Sequence, residues 1–121
     1  MNEHIYKYEN LLNRNFSADK PDKKWVADIS YIHTGEGVLY LSIIRDLHDN
    51  SIVAYKTGTE QTVNLVPHNI RLAMRREKEK IAAGLLLHSD QGFQYTSKAY
   101  NQITKEYCIM PSMSRRGHCY D

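Results

Sequence analysis

Leu85-Leu86-Leu87-His88-Ser89-Asp90-Gln91-Gly92 decides how the rest of this chain is read. The three leucines describe a short buried strand. Asp90 comes where that strand surfaces, and Gln91-Gly92 turns the chain away. A buried strand that ends in an acid beside a Gly turn holds a charge at the edge of a rigid sheet. The partner expected for Asp90 is Asp28, with a divalent metal between the two.

Asp28 lies in Trp25 to His33, where Trp25, Ala27, Ile29 and Tyr31 alternate with Val26, Asp28, Ser30 and Ile32. Period two predicts a strand with the two sets on opposite faces. Gly35-Glu36-Gly37 is a turn. Val38 to Asp46, nearly all apolar, predicts a second strand buried on both faces. Asp49-Asn50 turns the chain again into a third strand, Ile52 to Lys56. Short turns between three strands make an antiparallel meander.

The period then changes. Val63, Val66, Ile70 and Met74 fall on one helical stripe, flanked by Leu65 and Leu72. Thr62 or Asn64 can cap this helix. With Asn64 as cap, Pro67 falls in the first turn and is tolerated. The helix ends in the mixed-sign run Arg75 to Lys80, and Gly84 stops it. After the Leu85 strand, Thr96 or Ser97 caps a second helix with Ala99, Tyr100, Ile103 and Tyr107 inward. Cys108 to Met110 is a fifth strand closed by Pro111, and Ser112 to Asp121 is a loop. The expected class is α/β: a five-stranded mixed sheet, a meander of three strands and then helix-strand-helix-strand, with helices against the sheet. Residues 1–21 read as an arm or linker, weak in helix propensity because of Asn2, Asn10, Asn13 and Asn15. The core proper is 22–121, with the boundary near Pro21.

The 121 residues suffice for one domain. Hydrophobic content of 41% and charged content of 25% are globular values, which argues against a disordered chain. No segment has the length of a membrane span, and the first residues lack a signal-peptide core. The formal net charge of +2 permits a nucleic-acid partner without demanding one. Cys108 and Cys119 are too few for a disulfide framework and read as reduced thiols of a cytosolic protein.

Taken singly, Asp28 could meet a Lys, an Arg or a backbone amide at the sheet edge, and Asp90 could simply start a turn. An unpaired ionised carboxylate among apolar neighbours costs several kcal/mol. Together, on two strands of one sheet, the acids can share a hard cation. Mg²⁺ suits them because it keeps several waters and needs few protein ligands. Two such ions astride a phosphate stabilise attacking and leaving oxygens. His88, two residues before Asp90, faces the same side and could orient a phosphate or a metal-bound water; a half-buried His bonded to backbone is the plain alternative. Zinc held by His88, Cys108, His118 and Cys119 lacks paired CxxC spacing. Arg75 to Lys80 alternates in sign, as a solvated helix end does. Ser112 to Gly117 is a basic loop with hydroxyl donors, suited to phosphates, or else a disordered tail.

Several strings resemble bacterial insertion-sequence transposases of the retroviral-integrase superfamily. Lys24-Trp25-Val26-Ala27-Asp28-Ile29-Ser30-Tyr31-Ile32 resembles the opening strand of that core. Leu39-Tyr40-Leu41 and Arg45-Asp46-Leu47 resemble its second strand. His88-Ser89-Asp90-Gln91-Gly92-Phe93-Gln94-Tyr95-Thr96-Ser97 resembles its most recognisable string, and Ser112 to Asp121 resembles the approach to its last catalytic residue. The resemblance implies an RNase H-like fold and an Asp-Asp-Glu triad on two Mg²⁺ or Mn²⁺. By position Asp28 and Asp90 are the two Asp residues and metal ligands. His88, Gln94, Tyr95, Ser114, Arg115 and Arg116 are the expected DNA contacts. The chain departs from the pattern at the Glu, which in the family follows the Asp-Asn begun here at Asp121; Glu106 sits on the wrong element to replace it. The resemblance also implies an upstream helix-turn-helix, which these residues are not expected to supply. The implied activity is DNA cleavage and strand transfer by a transposase in a bacterial cytoplasm, nucleoid-associated, with DNA as partner and self-association expected. This chain is expected to be a core fragment, inactive alone. A non-catalytic DNA-binding or dimerising fragment of a decayed transposase, and an RNase H-type nuclease, are the other readings.

Overall fold

A computed structural model describes residues 5–59 and 64–114. Strands β1 (Lys24–Thr34), β2 (Gly37–Asp46) and β3 (Ile52–Gly58) form the antiparallel meander. Helix α1 (Leu65–Arg76), strand β4 (Leu86–Ser89), helix α2 (Lys98–Glu106) and strand β5 (Met110–Met113) follow. The sheet order is β3-β2-β1-β4-β5, with β1–β4 and β4–β5 parallel. The five-stranded mixed sheet and the alternation of elements are those the periodicities predicted.

The phase of β1 is also as expected. Trp25 and Ala27 are buried, and Asp28 is exposed on the opposite face. Both helices lie against the Trp25 face. Val66, Ile70 and Ala73 of α1 and Tyr100 and Ile103 of α2 join Trp25, Ala27, Ile44, Ala54 and Leu87 in one apolar cluster. β2 departs from expectation: Ser42, Ile44 and Asp46 are fully buried, while Leu41 and Ile43 are only half-buried. Among the described residues the helices cover one face of that strand, which is why its apolar run is not sealed on both.

Local chemistry accounts for the element ends. Asn64 occupies the cap position of α1 and puts Pro67 in the first turn, but its side chain makes no cap hydrogen bond. Thr62 and Val63 lie outside the described residues. α1 stops at Arg76, with Glu77 as its C-cap, well before Gly84, which serves a later turn at φ +74°. Ser97 caps α2 by accepting from the Tyr100 amide at 3.2 Å. β5 does not close at Pro111 but continues through it to Met113. The strand is at the sheet edge, where a missing N–H is tolerated.

Residues before β1 lie against the core. The Met113 amide donates to the Glu9 carbonyl, and the Leu12 amide donates to Ser112 Oγ. Tyr8 Oη accepts from Asn101 Nδ2 on α2, and Leu12 is 2% exposed. The segment therefore wraps the β5 edge and occupies backbone groups that an edge strand would otherwise present to another chain.

Candidate active site

The sheet register brings the two acids together. In the parallel pair β1–β4, Trp25 stands opposite Leu87 and Val26 opposite His88. Parallel partners share a face, and side chains repeat every two residues. Two steps on from Val26 and His88 are Asp28 and Asp90, on one face of strands about 4.8 Å apart. The ladder ends at Val26–His88, so the acids stand just beyond the last rung, at the C-terminal end of β4. Both line one cleft of about 630 Å³, with Arg45, His88, Ser89 and Phe16.

Backbone amides fix each carboxylate. The Ile29 amide donates to Asp28 Oδ1 at 2.9 Å, and the Gly92 amide donates to Asp90 Oδ1 at 2.8 Å. Gly92 is needed for space. A Cβ there would lie 3.0 Å from Asp90 Oδ1 and 3.2 Å from Gln94 Oε1. Desolvation raises the Asp28 carboxyl above its usual value, and the Asp90 charge adds to the rise; the Ile29 amide and the Arg45 guanidinium oppose it. Arg45 is placed for this by the β1–β2 register. It pairs with Val26, one diagonal step from Asp28 on the same face. A bulge in β2–β3 at Ile44/Arg45, where Val53 is the extra residue, lies next to it.

Two carboxylates at equivalent positions on one face, with Asp28 raised by burial and by the neighbouring Asp90 charge, suit a hard divalent cation such as Mg²⁺ or Mn²⁺. Among the described residues no group of three or more His, Cys, Asp or Glu side chains could hold a metal. Glu106 is at the far end of α2, exposed and paired with Arg71 at 2.9 Å. The zinc set does not assemble among the described residues: His88 is buried, Cys108 is exposed, and His118 and Cys119 lie outside them.

Four expected DNA contacts are placed beneath the surface. His88 is 2% exposed, its Nδ1 2.8 Å from Ser112 Oγ and its ring edge-on to Phe16. Gln94 and Tyr95 are 4% and 2% exposed. Ser114 is 1% exposed, its amide donating to the Ser89 carbonyl at 2.9 Å. For Ser114 the reason is that β5 extends past Pro111 and carries Ser112 and Ser114 along β4 instead of into a loop. Arg115 and Arg116 lie outside the described residues. Arg45 and Phe16 were missed as site residues. Alternation alone would put Arg45 on a face with Ile43, but only the strand register puts that face beside Asp28.

The sequence pattern of the integrase core domain matches residues 18–119. The chain belongs to the integrase core domain family. This integrase core is 41% identical over 112 residues to the insertion element IS600 uncharacterized 31 kDa protein of Shigella sonnei, a match covering 93% of this chain and 40% of that protein. It is 35% identical over 113 residues to the transposase InsF for insertion sequence IS3A of Escherichia coli K12, covering 93% of this chain and 38% of that one. The integrase core thus spans well under half the length of both. Among solved structures, a chain of the simian T-cell lymphotropic virus intasome, in complex with the PP2A regulatory subunit B56 gamma, superposes with TM-score 0.70 at 14% identity, over 80% of this chain and 36% of that one. The HTLV-2 integrase catalytic core domain in complex with magnesium superposes with TM-score 0.64 at 13% identity, over 80% of this chain and 62% of that one. These likenesses establish the RNase H-like fold of the integrase core. No helix among its described residues is long and apolar enough to cross a membrane.

Proposed function

We propose that this integrase core is the catalytic core of an insertion-sequence DNA transposase, and that the whole protein cleaves phosphodiesters at the element's ends and joins them to target DNA. The observation that carries this is the register of β1 on β4, which sets Asp28 and Asp90 side by side on one face of one cleft. Two Mg²⁺ or Mn²⁺ ions, when bound, supply electrostatic stabilisation of the attacking and leaving oxygens in an in-line displacement. Asp28 and Asp90 provide the oxygens that hold them. The Ile29 and Gly92 amides keep those carboxylates from rotating freely. Arg45 brings a positive charge to the same cleft, where it attracts a phosphodiester and tempers the repulsion between the acids. His88, locked to Ser112, stiffens the end of β4 from which Asp90 projects.

DNA is the proposed partner, contacted by the Arg45 side of the cleft and by Arg115 and Arg116. With two carboxylates in the site among the described residues, the 121-residue chain is expected to bind Mn²⁺ weakly and leave duplex DNA intact. Mn²⁺ titration followed by electron paramagnetic resonance tests the shared seat. Asp28→Asn and Asp90→Asn should each abolish saturable binding; binding equal to the parent's in both variants removes the metal reading. Strand transfer by the parent chain on an end-mimicking duplex would refute the expectation of inactivity, and cleavage confined to RNA–DNA hybrids would point to a different nuclease.

A further inference from the structure

An aromatic ring lines the acid cleft without belonging to the core. Phe16 is half-buried and lies outside the apolar cluster that joins sheet and helices. Its ring packs edge-on to His88, with centroids 6.2 Å apart, and borders the same space as Asp28, Asp90 and Arg45. The backbone on either side of it is tied down. Lys24 shares the β1 face of Val26 and Asp28. Its Nζ donates to the Asn15 carbonyl at 3.3 Å and to the Ser17 carbonyl at 3.0 Å. The Phe16 amide donates to the Arg14 carbonyl at 3.1 Å. Both chain neighbours of Phe16 are thus fastened to the acid-bearing face, and the ring is in place before any ligand arrives. A flat π surface beside two acids and a guanidinium suits a nucleotide: the base stacks on the ring, and the phosphate charge belongs with Arg45 and a dication on the acids. The cleft, about 630 Å³, has the size of a small-ligand site. Intact duplex keeps its bases inside the stack, so only an unpaired nucleotide brings a base face to Phe16.

We propose that Phe16 is the stacking platform for one unpaired nucleobase of the DNA strand whose phosphodiester lies at the acid pair, so that the cleft takes a splayed strand end in preference to intact duplex. This rests on the cleft being the DNA site. Stacking on an aromatic side chain contributes roughly 5- to 150-fold in affinity per base. Every base has a π face, so Phe16 selects unpaired structure and not sequence.

The test uses the 121-residue chain with Mn²⁺ and a fluorescein-labelled duplex whose terminal pairs are mismatched. A second duplex carries abasic sites in place of those unpaired bases. Affinities are read by fluorescence anisotropy for the parent, Phe16→Leu, Phe16→Trp and Phe93→Leu. Phe93 follows the Asp90 turn and is 47% exposed, but it does not line the cleft. The parent should bind the mismatched duplex roughly 5- to 150-fold more tightly than the abasic one. Phe16→Leu should bind both duplexes alike, with the parent's affinity for the abasic one. Phe16→Trp and Phe93→Leu should keep the preference. Leucine still packs an apolar side chain against His88, so a ring that only packs would leave the preference intact in Phe16→Leu, and that result overturns the proposal. So does an equal fall on both duplexes in Phe16→Leu, a preference lost in Phe16→Trp, or one lost in Phe93→Leu, which would seat the base there. A parent that binds both duplexes equally overturns the proposal and leaves the DNA site standing. A parent that binds neither defeats the DNA site and the proposal with it.

Discussion

At Gly92 the missing side chain matters more than backbone freedom. The position is crowded by Asp90 Oδ1 and Gln94 Oε1, so Gly92→Ala forces the carboxylate to shift by a few tenths of an ångström. We expect a severalfold loss of Mn²⁺ affinity with little change in melting temperature; a variant that binds as the parent does would show that Asp90 tolerates the shift. Asp22 makes a different prediction. It is 1% exposed, accepts from Trp25 Nε1 at 3.1 Å, and holds a left-handed φ of +59°. Its carboxyl is raised by burial and by the charges of Glu77 and Asp46. A raised folded value means the folded state holds the proton more tightly, so this group's stabilisation is full below the ordinary carboxylate value and is lost as pH rises through the folded one. An asparagine side chain at this position would keep an acceptor for the indole, tolerate the backbone and not titrate. Asp22→Asn should therefore gain on the parent in thermal melts between about pH 3 and pH 7, with the gap closing at the acid end. Parallel curves would exclude the effect. Asp90 was legible as a candidate from its strand end; Asp22 was not, because its burial depends on Asp46, 24 residues away.

Elements were legible where one periodicity governed them. β1 follows directly from apolar spacing, because it packs one face on a single core; in α2 the spacing gave Tyr100 and Ile103, while Asn101 and Thr104 are buried beside them and Ala99 and Tyr107 are only half-buried. β5 was misread because Pro111 looks like a terminator, and nothing local says that the strand lies at an edge where proline is harmless. That error carried Ser112 and Ser114 into a supposed loop. The residue that joins these elements is Ser112, whose Oγ accepts the Leu12 amide at 2.9 Å and lies 2.8 Å from His88 Nδ1. Ser112→Ala leaves two buried groups on β4 and the N-terminal segment without that oxygen, a loss of about 1–3 kcal/mol. Urea unfolding followed by Trp25 fluorescence measures it. A change within a few tenths of a kcal/mol would mean the segment before β1 contributes nothing to the β5 edge.

Across the whole molecule, pairing the acids needed the two strand phases, which apolar alternation gives, and the parallel register of β1 on β4, which nothing local in the sequence states. The open face was harder to read, since what covers a sheet is settled by distant parts of the chain. Asp28, Ile43 and Tyr55 lie in one cross-strand row, with Ser30, Leu41 and Thr57 in the next and Ile32 and Leu39 beyond. Tyr55 and Ile32 are exposed, and Ile43, Leu41 and Leu39 are half-buried, so this side of β1–β3 presents a contiguous apolar strip. Monomeric proteins seldom leave such strips bare. The chain should therefore associate with itself as its concentration rises, strip against strip. Sedimentation equilibrium should show a mass climbing above 14.1 kDa, and Ile32→Lys with Tyr55→Lys should hold it near that value. The cleft lies on the neighbouring side of Ile43, so the double variant should also keep the parent's Mn²⁺ affinity. A parent that sediments as a monomer at every concentration would rule out association through this face, and a double variant that still associates would place the contact elsewhere.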